Sequence, residues 1–129
     1  MLHIERVQLR GFKSFKRADI PLSKGFVCIA GPNGSGKSNI CDAIRFGLGE
    51  NKLKALRAKK VSDLISLSSN KAEVLLYLNG GREKYEVRRA IRGDGKTKYI
   101  LNGKRMTRTA VVEALRTHAI EPNGHNVIA

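Results

Sequence analysis

Tryptophan is absent, and only three prolines and two cysteines occur among the 129 residues. The cysteines, Cys28 and Cys41, are too few for a disulfide-built scaffold or a four-ligand zinc site. Aromatics make up 5%, which does not support base stacking on single strands. No apolar run approaches the ~20 residues of a membrane-spanning helix. The opening, MLHIERVQLR, is charged and alternating, unlike a signal peptide or a lipidation signal. Acidic residues are scarce: 11 Asp plus Glu face 25 Lys plus Arg, for a formal net charge of +14. Such an excess favours an anionic partner (nucleic acid, acidic membrane or polyphosphate) and says nothing about fold. Apolar residues, at 41%, argue against wholesale disorder. The length suits one domain or one lobe of a larger one. These bounds leave a soluble, basic α/β or α+β protein of a reducing compartment.

Leu2, Ile4, Val7 and Leu9 form a broken alternation, which predicts a strand with a slip in its middle, interrupted at Gly11–Phe15. Residues 18–22 predict a short strand with Pro21 at an edge or end. Phe26 to Ala30, apolar and flanked by glycines, predicts a strand buried on both faces. A helix is expected from about Lys37, with Ile40, Ala43, Ile44 and Leu48 on one face and Gly49 as its stop. Val61, Leu64 and Ile65 mark a brief helical turn. Residues 72–79, 84–92 and 98–101 predict an antiparallel sheet, with turns at Gly93-Asp94-Gly95 and Asn102-Gly103. Thr107 is placed to cap a helix reaching about Ala119, with Val111, Val112 and Leu115 inward. The apolar last residues, 127–129, suggest an element cut short.

The strongest signal is Gly31-Pro32-Asn33-Gly34-Ser35-Gly36-Lys37-Ser38, a gapless fit to G-x-x-x-x-G-K-[ST] between the expected strand and helix. Glycines let backbone N–H groups wrap phosphate oxygens, and the helix N-terminus adds partial positive charge. Lys37 would set an ammonium against the β- and γ-phosphates, and Ser38 a hydroxyl on Mg²⁺. These two are the candidate catalytic residues. The bland alternative is a glycine-rich turn without ligand. Hydrolysis also needs a carboxylate after four apolar residues, and Leu75-Leu76-Tyr77-Leu78 is followed by neutral Asn79. The chain therefore holds a nucleotide cradle without a complete catalytic set.

The stretch Gly31–Asn39, then Asp42-Ala43-Ile44 and Phe46-Gly47-Leu48-Gly49, resembles the head of structural maintenance of chromosomes (SMC) proteins, closest to the archaeal or bacterial type. So do Ile4–Leu9 with Gly11-Phe12-Lys13-Ser14-Phe15, Leu56-Arg57-Ala58 with Ser62-Asp63-Leu64-Ile65, and Tyr99-Ile100-Leu101-Asn102-Gly103. The resemblance implies that residues 1–129 are the N-terminal lobe of an ABC-type P-loop ATPase head. Its expected fold class is α/β: a mixed sheet around the P-loop helix plus an antiparallel β-subdomain. It also implies a coiled coil, hinge and C-terminal lobe elsewhere, the last carrying signature motif and Walker B. The glutamine of the family's Q-loop would follow where this chain ends. ATP and Mg²⁺ are the implied cofactors. Gly31 to Asn39 would bind the triphosphate. Lys13 and Ser14 resemble residues near base and ribose, and Arg57 one that reaches toward the nucleotide, with Asp63 in the same loop. Implied partners are the C-terminal lobe, a second head that sandwiches ATP, a kleisin-type subunit and double-stranded DNA held without sequence preference. No membrane partner is implied, and the location would be cytoplasmic, with the nucleoid. The fragment alone would be inactive, and would expose apolar surface where the other lobe docks.

Residues 82–108 carry ten Lys or Arg against Glu83, Glu86 and Asp94, and residues 51–60 carry five cations and no acid. Such clustering is the footprint of phosphate-backbone contact. Its ordinary alternative is a solvated sheet face with lysine-protected edges. Lys59, Lys60, Lys104, Arg105 and Arg108 are the candidate DNA contacts. His3, His118 and His125 show no metal spacing, and both cysteines read as small core residues. Three other readings compete: a recombination ATPase of the same superfamily, an ABC transporter ATPase, and a basic DNA-binding module with a vestigial P-loop. The block after the helix disfavours the first, Asn39 the second, and intact Lys37 and Ser38 the third.

Overall fold

The computed structural model describes residues 2–23, 28 and 37–123. The order is β1 (His3–Phe12), β2 (Phe15–Pro21), α1 (Lys37–Gly47), β3 (Lys71–Asn79), β4 (Lys84–Arg92), β5 (Thr97–Leu101), β6 (Lys104–Met106) and α2 (Arg108–Arg116). Two 3₁₀ turns, Leu53–Leu56 and Val61–Leu64, join α1 to β3. The six strands form one sheet, β2-β1-β3-β4-β5-β6, and every pairing is antiparallel among the described residues. The expected strand at 26–30, which would have made the sheet mixed, lies outside the described residues apart from Cys28, as do Gly31 to Gly36.

Period-two burial explains the sheet. Ala72, Val74, Leu76 and Leu78 of β3 are buried, and pair with or flank Leu9, Val7 and Ile4 of β1. That face meets α1, whose Ala43, Ile44 and Phe46 are fully buried. The slip in β1 is real: pairing passes from Ile4↔Leu78 to Arg6↔Tyr77, which leaves Glu5 as the extra residue of a bulge. The bulge lets Ile4 and Val7 face the same side. Gly11 does not interrupt β1, which runs on to Phe12, and the turn falls at Lys13-Ser14 instead. Asn102 and Gly103, at φ 50° and 80°, make the expected tight turn. Thr107 caps α2, accepting a hydrogen bond from the Ala110 N–H at 3.1 Å, but the helix ends at Arg116 rather than Ala119.

The turn after β1 is held from below. Ser66 N–H donates to Gly11 O at 2.8 Å, and its buried hydroxyl donates to Lys13 O at 2.6 Å. Gly11 sits at φ +67°, and a Cβ there would stand 2.5 Å from Lys71 O. Gly11→Ala combines left-handed strain with a backbone clash, so it should cost about 2 kcal/mol or more. Urea unfolding reads that loss.

Arg89 departs from the sequence reading, which grouped it with a basic surface. It is 3% exposed and faces the core. Its guanidinium lies 4.1 Å over the Phe46 ring and 4.8 Å over Tyr99. It donates to Phe46 O at 3.0 Å, Glu50 O at 2.8 Å, Asn51 Oδ1 at 2.8 Å and Thr97 Oγ1 at 3.1 Å. Burial pushes its pKa down to about 10, so it stays charged at neutral pH. It ties the end of α1 and the residues just after it to β4 and β5.

The cysteines also depart from the reading. Cys28 and Cys41 are joined in a disulfide, where two reduced core thiols were expected. The two stand on either side of the glycine-rich motif, 13 positions apart, and spacing alone does not show that they meet. The expected apolar docking surface is not seen among the described residues, where Leu67, 89% exposed, is the only exposed large hydrophobic side chain.

Candidate nucleotide site

Helix α1 starts with Lys37 and Ser38, so both predicted P-loop side chains stand in its first turn, the end of a helix that carries partial positive charge. Asn39 and Asp42 follow at i and i+3 on one side of the helix. Three distant segments converge on them. Lys13 comes from the β1–β2 turn, Arg57 from the end of the first 3₁₀ turn, and Asp63 from the second. Lys13, Asn39, Arg57 and Asp63 line one cleft of about 430 Å³, together with Ser62, Ile65 and Leu67.

Asp42 organises this cleft. Its carboxylate is fully buried yet surrounded by cations. Lys13 Nζ donates to Oδ2 at 2.7 Å, and also to Leu56 O at 2.5 Å. Arg57 donates to Oδ2 from Nε at 3.0 Å and from Nη2 at 2.7 Å. Arg45 Nη1 stands 3.9 Å from Oδ1. Arg57 Nη2 also donates to Asn39 Oδ1 at 3.0 Å, and Asn39 Nδ2 donates to Ser14 Oγ at 2.8 Å. The predicted Lys13, Ser14, Asn39 and Arg57 are thus one hydrogen-bonded network centred on a residue the sequence reading gave no role. The available signal was an acid among Ile40, Cys41, Ala43 and Ile44 in an acid-poor chain.

Lys13 and Arg57 both adopt left-handed backbone conformations, at φ 49° and 54°. Non-glycine residues pay strain there, and such strain clusters where side-chain direction matters. Asp63 faces its own backbone: its carboxylate accepts from the N–H groups of Lys59 at 3.0 Å and Lys60 at 3.1 Å. Those bonds hold its pKa below the usual value. It supports the turn that presents Lys59 and Lys60, both exposed.

The candidate DNA contacts do not form one patch. Lys59 and Lys60 stand beside the cleft, next to the segment that bridges to β1 through Phe12 and Ile65. Lys104 and Arg105, also exposed, lie on the edge strand β6, four strands away from β1 or roughly 20 Å. Arg108 is half-buried and donates to Gly49 O at 2.7 Å, so its head is engaged within the fold. The other sheet face carries a smaller cleft of about 290 Å³, whose lining includes Arg10, Arg17 and Arg88. Among the described residues no His/Cys/Asp/Glu cluster suits a metal ion, and no helix is long and apolar enough to cross a membrane.

The cleft fits an anionic ligand: cations line it, and a helix N-terminus opens beside it. Antiparallel sheet, helix and cleft together are the architecture of the N-terminal lobe of an ABC-type ATPase head. The match extends to sequence, for the family model described as RecF/RecN/SMC N terminal domain matches residues 3–123, and the chain belongs to that family. The chromosome partition protein Smc of Pyrococcus furiosus is 43% identical across 99% of this chain, and that of Methanocaldococcus jannaschii 38% across all of it. The chain spans about 12% of the length of each. A Pyrococcus furiosus Smc head, solved with an extended coiled coil and bound to the C-terminal domain of ScpA, superposes with a TM-score of 0.85. It is 43% identical and covers 98% of this chain, which covers 35% of it. A structure from work on ATP-driven dimerization and DNA-stimulated activation of SMC ATPases gives 0.84 at 42% identity, over 98% of this chain and 86% of the other. A RecF–ATP structure, at 19% identity and 0.68, shares the fold.

Proposed function

We propose that this chain is the ATP-binding half of an SMC-type ATPase head, which acts in chromosome segregation and compaction through ATP-driven engagement of two heads. One observation carries the reading: Lys13, Asn39, Arg57 and Asp63, from separate segments, line one cleft beside the helix that begins Lys37-Ser38. In this reading Lys37 neutralises phosphate charge, and the backbone of Gly31–Gly36 cradles it. Lys13 and Ser14 lie toward base and ribose, and Arg57 toward the phosphates, held by Asp42. Mg²⁺ would supply charge neutralisation on the phosphates, with Ser38 Oγ as its ligand from this chain. The signature motif and Walker B carboxylate come from a C-terminal lobe and a second head, so hydrolysis is a property of the assembly.

A kleisin-type subunit and double-stranded DNA complete the proposed partners, at a cytoplasmic, nucleoid-associated location. DNA contact is assigned to Lys59, Lys60, Lys104 and Arg105, which are free to meet phosphates in being exposed. Arg108 is a weaker choice because its guanidinium is bonded to Gly49 O.

A fluorescent ATP analogue with Mg²⁺ tests the cradle. The chain should bind it, and Lys37→Ala should weaken binding at least about 100-fold, as expected for losing a charge-assisted phosphate contact. ATP turnover should stay at background for the chain alone. It should become Lys37-dependent when the C-terminal lobe of the head is added. Robust Lys37-dependent turnover by the chain alone would replace the composite site with a self-sufficient P-loop enzyme.

A further inference from the structure

We propose that Cys28 and Cys41 are a reversible dithiol–disulfide site, a redox-formed brace around the phosphate motif whose reactant is a low-molecular-weight disulfide. The two are bonded in the structure, and their Cα atoms lie 5.7 Å apart, a spacing that a disulfide spans without backbone movement. They are 13 positions apart in sequence. The residues between them, 29–40, contain all of Gly31–Ser38 and also Asn39. The bond therefore closes a covalent ring through the motif. One end of that ring is on α1, next to Asp42, the carboxylate that holds Lys13 and Arg57.

The exposures set the order of the chemistry. Cys41 is 5% exposed, whereas Cys28 is half-buried. A reagent in solution meets Cys28 first. Its thiolate attacks one sulfur of the small disulfide, and the other sulfur leaves as a thiolate that takes up a proton. Cys41, deprotonated in turn, attacks the Cys28 sulfur of this mixed disulfide and expels the second small thiol. Two protein S–H groups become one S–S bond, and the reagent is reduced to two thiols. A small dithiol runs the sequence backwards. Since Cys41 lies at bonding distance, the mixed disulfide resolves inside the protein rather than accumulating.

Closing the ring limits the freedom of the unfolded chain between the two cysteines, which raises stability. It also ties the ends of the motif before any ligand arrives, which lowers the ordering cost of binding. This second consequence rests on the nucleotide reading; the first does not.

The chain is equilibrated with oxidised glutathione or with dithiothreitol, then followed by intact mass, alkylation with iodoacetamide, and melting. The oxidised chain should weigh about 2 Da less than the reduced one and take up no alkyl group, whereas the reduced and unfolded chain takes up two. Reduction should lower the melting temperature on the order of 10 °C. Cys41→Ala should melt near the reduced wild type under both conditions. The fluorescent ATP analogue should bind the oxidised wild type several-fold tighter than the reduced one, and the difference should vanish in Cys41→Ala. Two alkylatable thiols after oxidation, a persisting glutathione adduct on Cys28, or equal melting in both states would overturn the proposal. If the analogue binds neither form, the nucleotide reading fails, and mass and melting still decide the brace.

Discussion

Asp42→Ala should unfold at a markedly lower urea concentration, with a loss of about 3–5 kcal/mol, the range for removing one partner of a buried ion pair. The Lys13 side chain is 9% exposed and bonded to Asp42 at 2.7 Å. Without the carboxylate, its ammonium keeps, among the described residues, one carbonyl acceptor, Leu56 O, and no counter-charge at hydrogen-bond distance. Arg57 is different, since its side chain is 54% exposed and its head can turn to water. The cost therefore falls mainly on Lys13, and Arg57 loses direction rather than stability. Asp42→Asn retains an acceptor oxygen and should cost less. Both variants should weaken binding of the ATP analogue. A loss below about 1 kcal/mol for Asp42→Ala would mean that the cleft reopens to water and the charges were never desolvated.

Arg89→Leu should be comparably damaging, at about 3–5 kcal/mol, from the donors lost to Glu50 O, Asn51 Oδ1 and Phe46 O (the last keeping only Gly49 N–H) and from lost ring contacts. Leucine fills part of the space, but Phe46 O and Glu50 O then lose the donor that Arg89 provides. Arg89→Lys keeps a charge, yet one ammonium cannot serve four acceptors in the plane of a guanidinium. It should fall between the wild type and Arg89→Leu in urea unfolding. A neutral or stabilising Arg89→Leu would show that an apolar core is preferred there and that the buried cation is not a fastener.

These two residues show where reading the sequence succeeded and where it stopped. The alternation Tyr85, Val87, Arg89, Ile91 already set Arg89 on the inward face. The ten cations of residues 82–108 point the other way, because a run of basic residues is ordinarily solvated. Strands, turns and the Thr107 cap were legible because each rests on local rules: alternation, Asn-Gly geometry, side-chain acceptance from an N–H. The bulge at Glu5 was visible for the same reason, as a break in the period. The network around Asp42 was not. Lys13, Asn39 and Arg57 were identified by resemblance, but their common anchor is a product of packing among segments up to 44 positions apart. The cysteine pair was missed likewise, since proximity in space leaves no trace in spacing.

Strand β1 has one consequence for the newborn chain. It pairs with β2 on one edge, a partner that is synthesised immediately after it. Its other edge waits for β3, where His3 pairs with Asn79. Translation at roughly 5–20 residues per second puts several seconds between these two events. During that interval the ribosome carries a hairpin with an open edge and an uncovered row of Ile4, Val7 and Leu9. The whole cleft-forming segment, α1 included, is made inside the same interval and lacks the β3 surface on which it packs. Docking of β3 closes that edge of β1 and covers α1, and the open edge passes to β3 until β4 pairs with it. A slow codon or a pause before residue 79 would prolong the stage in which β1 and α1 lack the β3 surface.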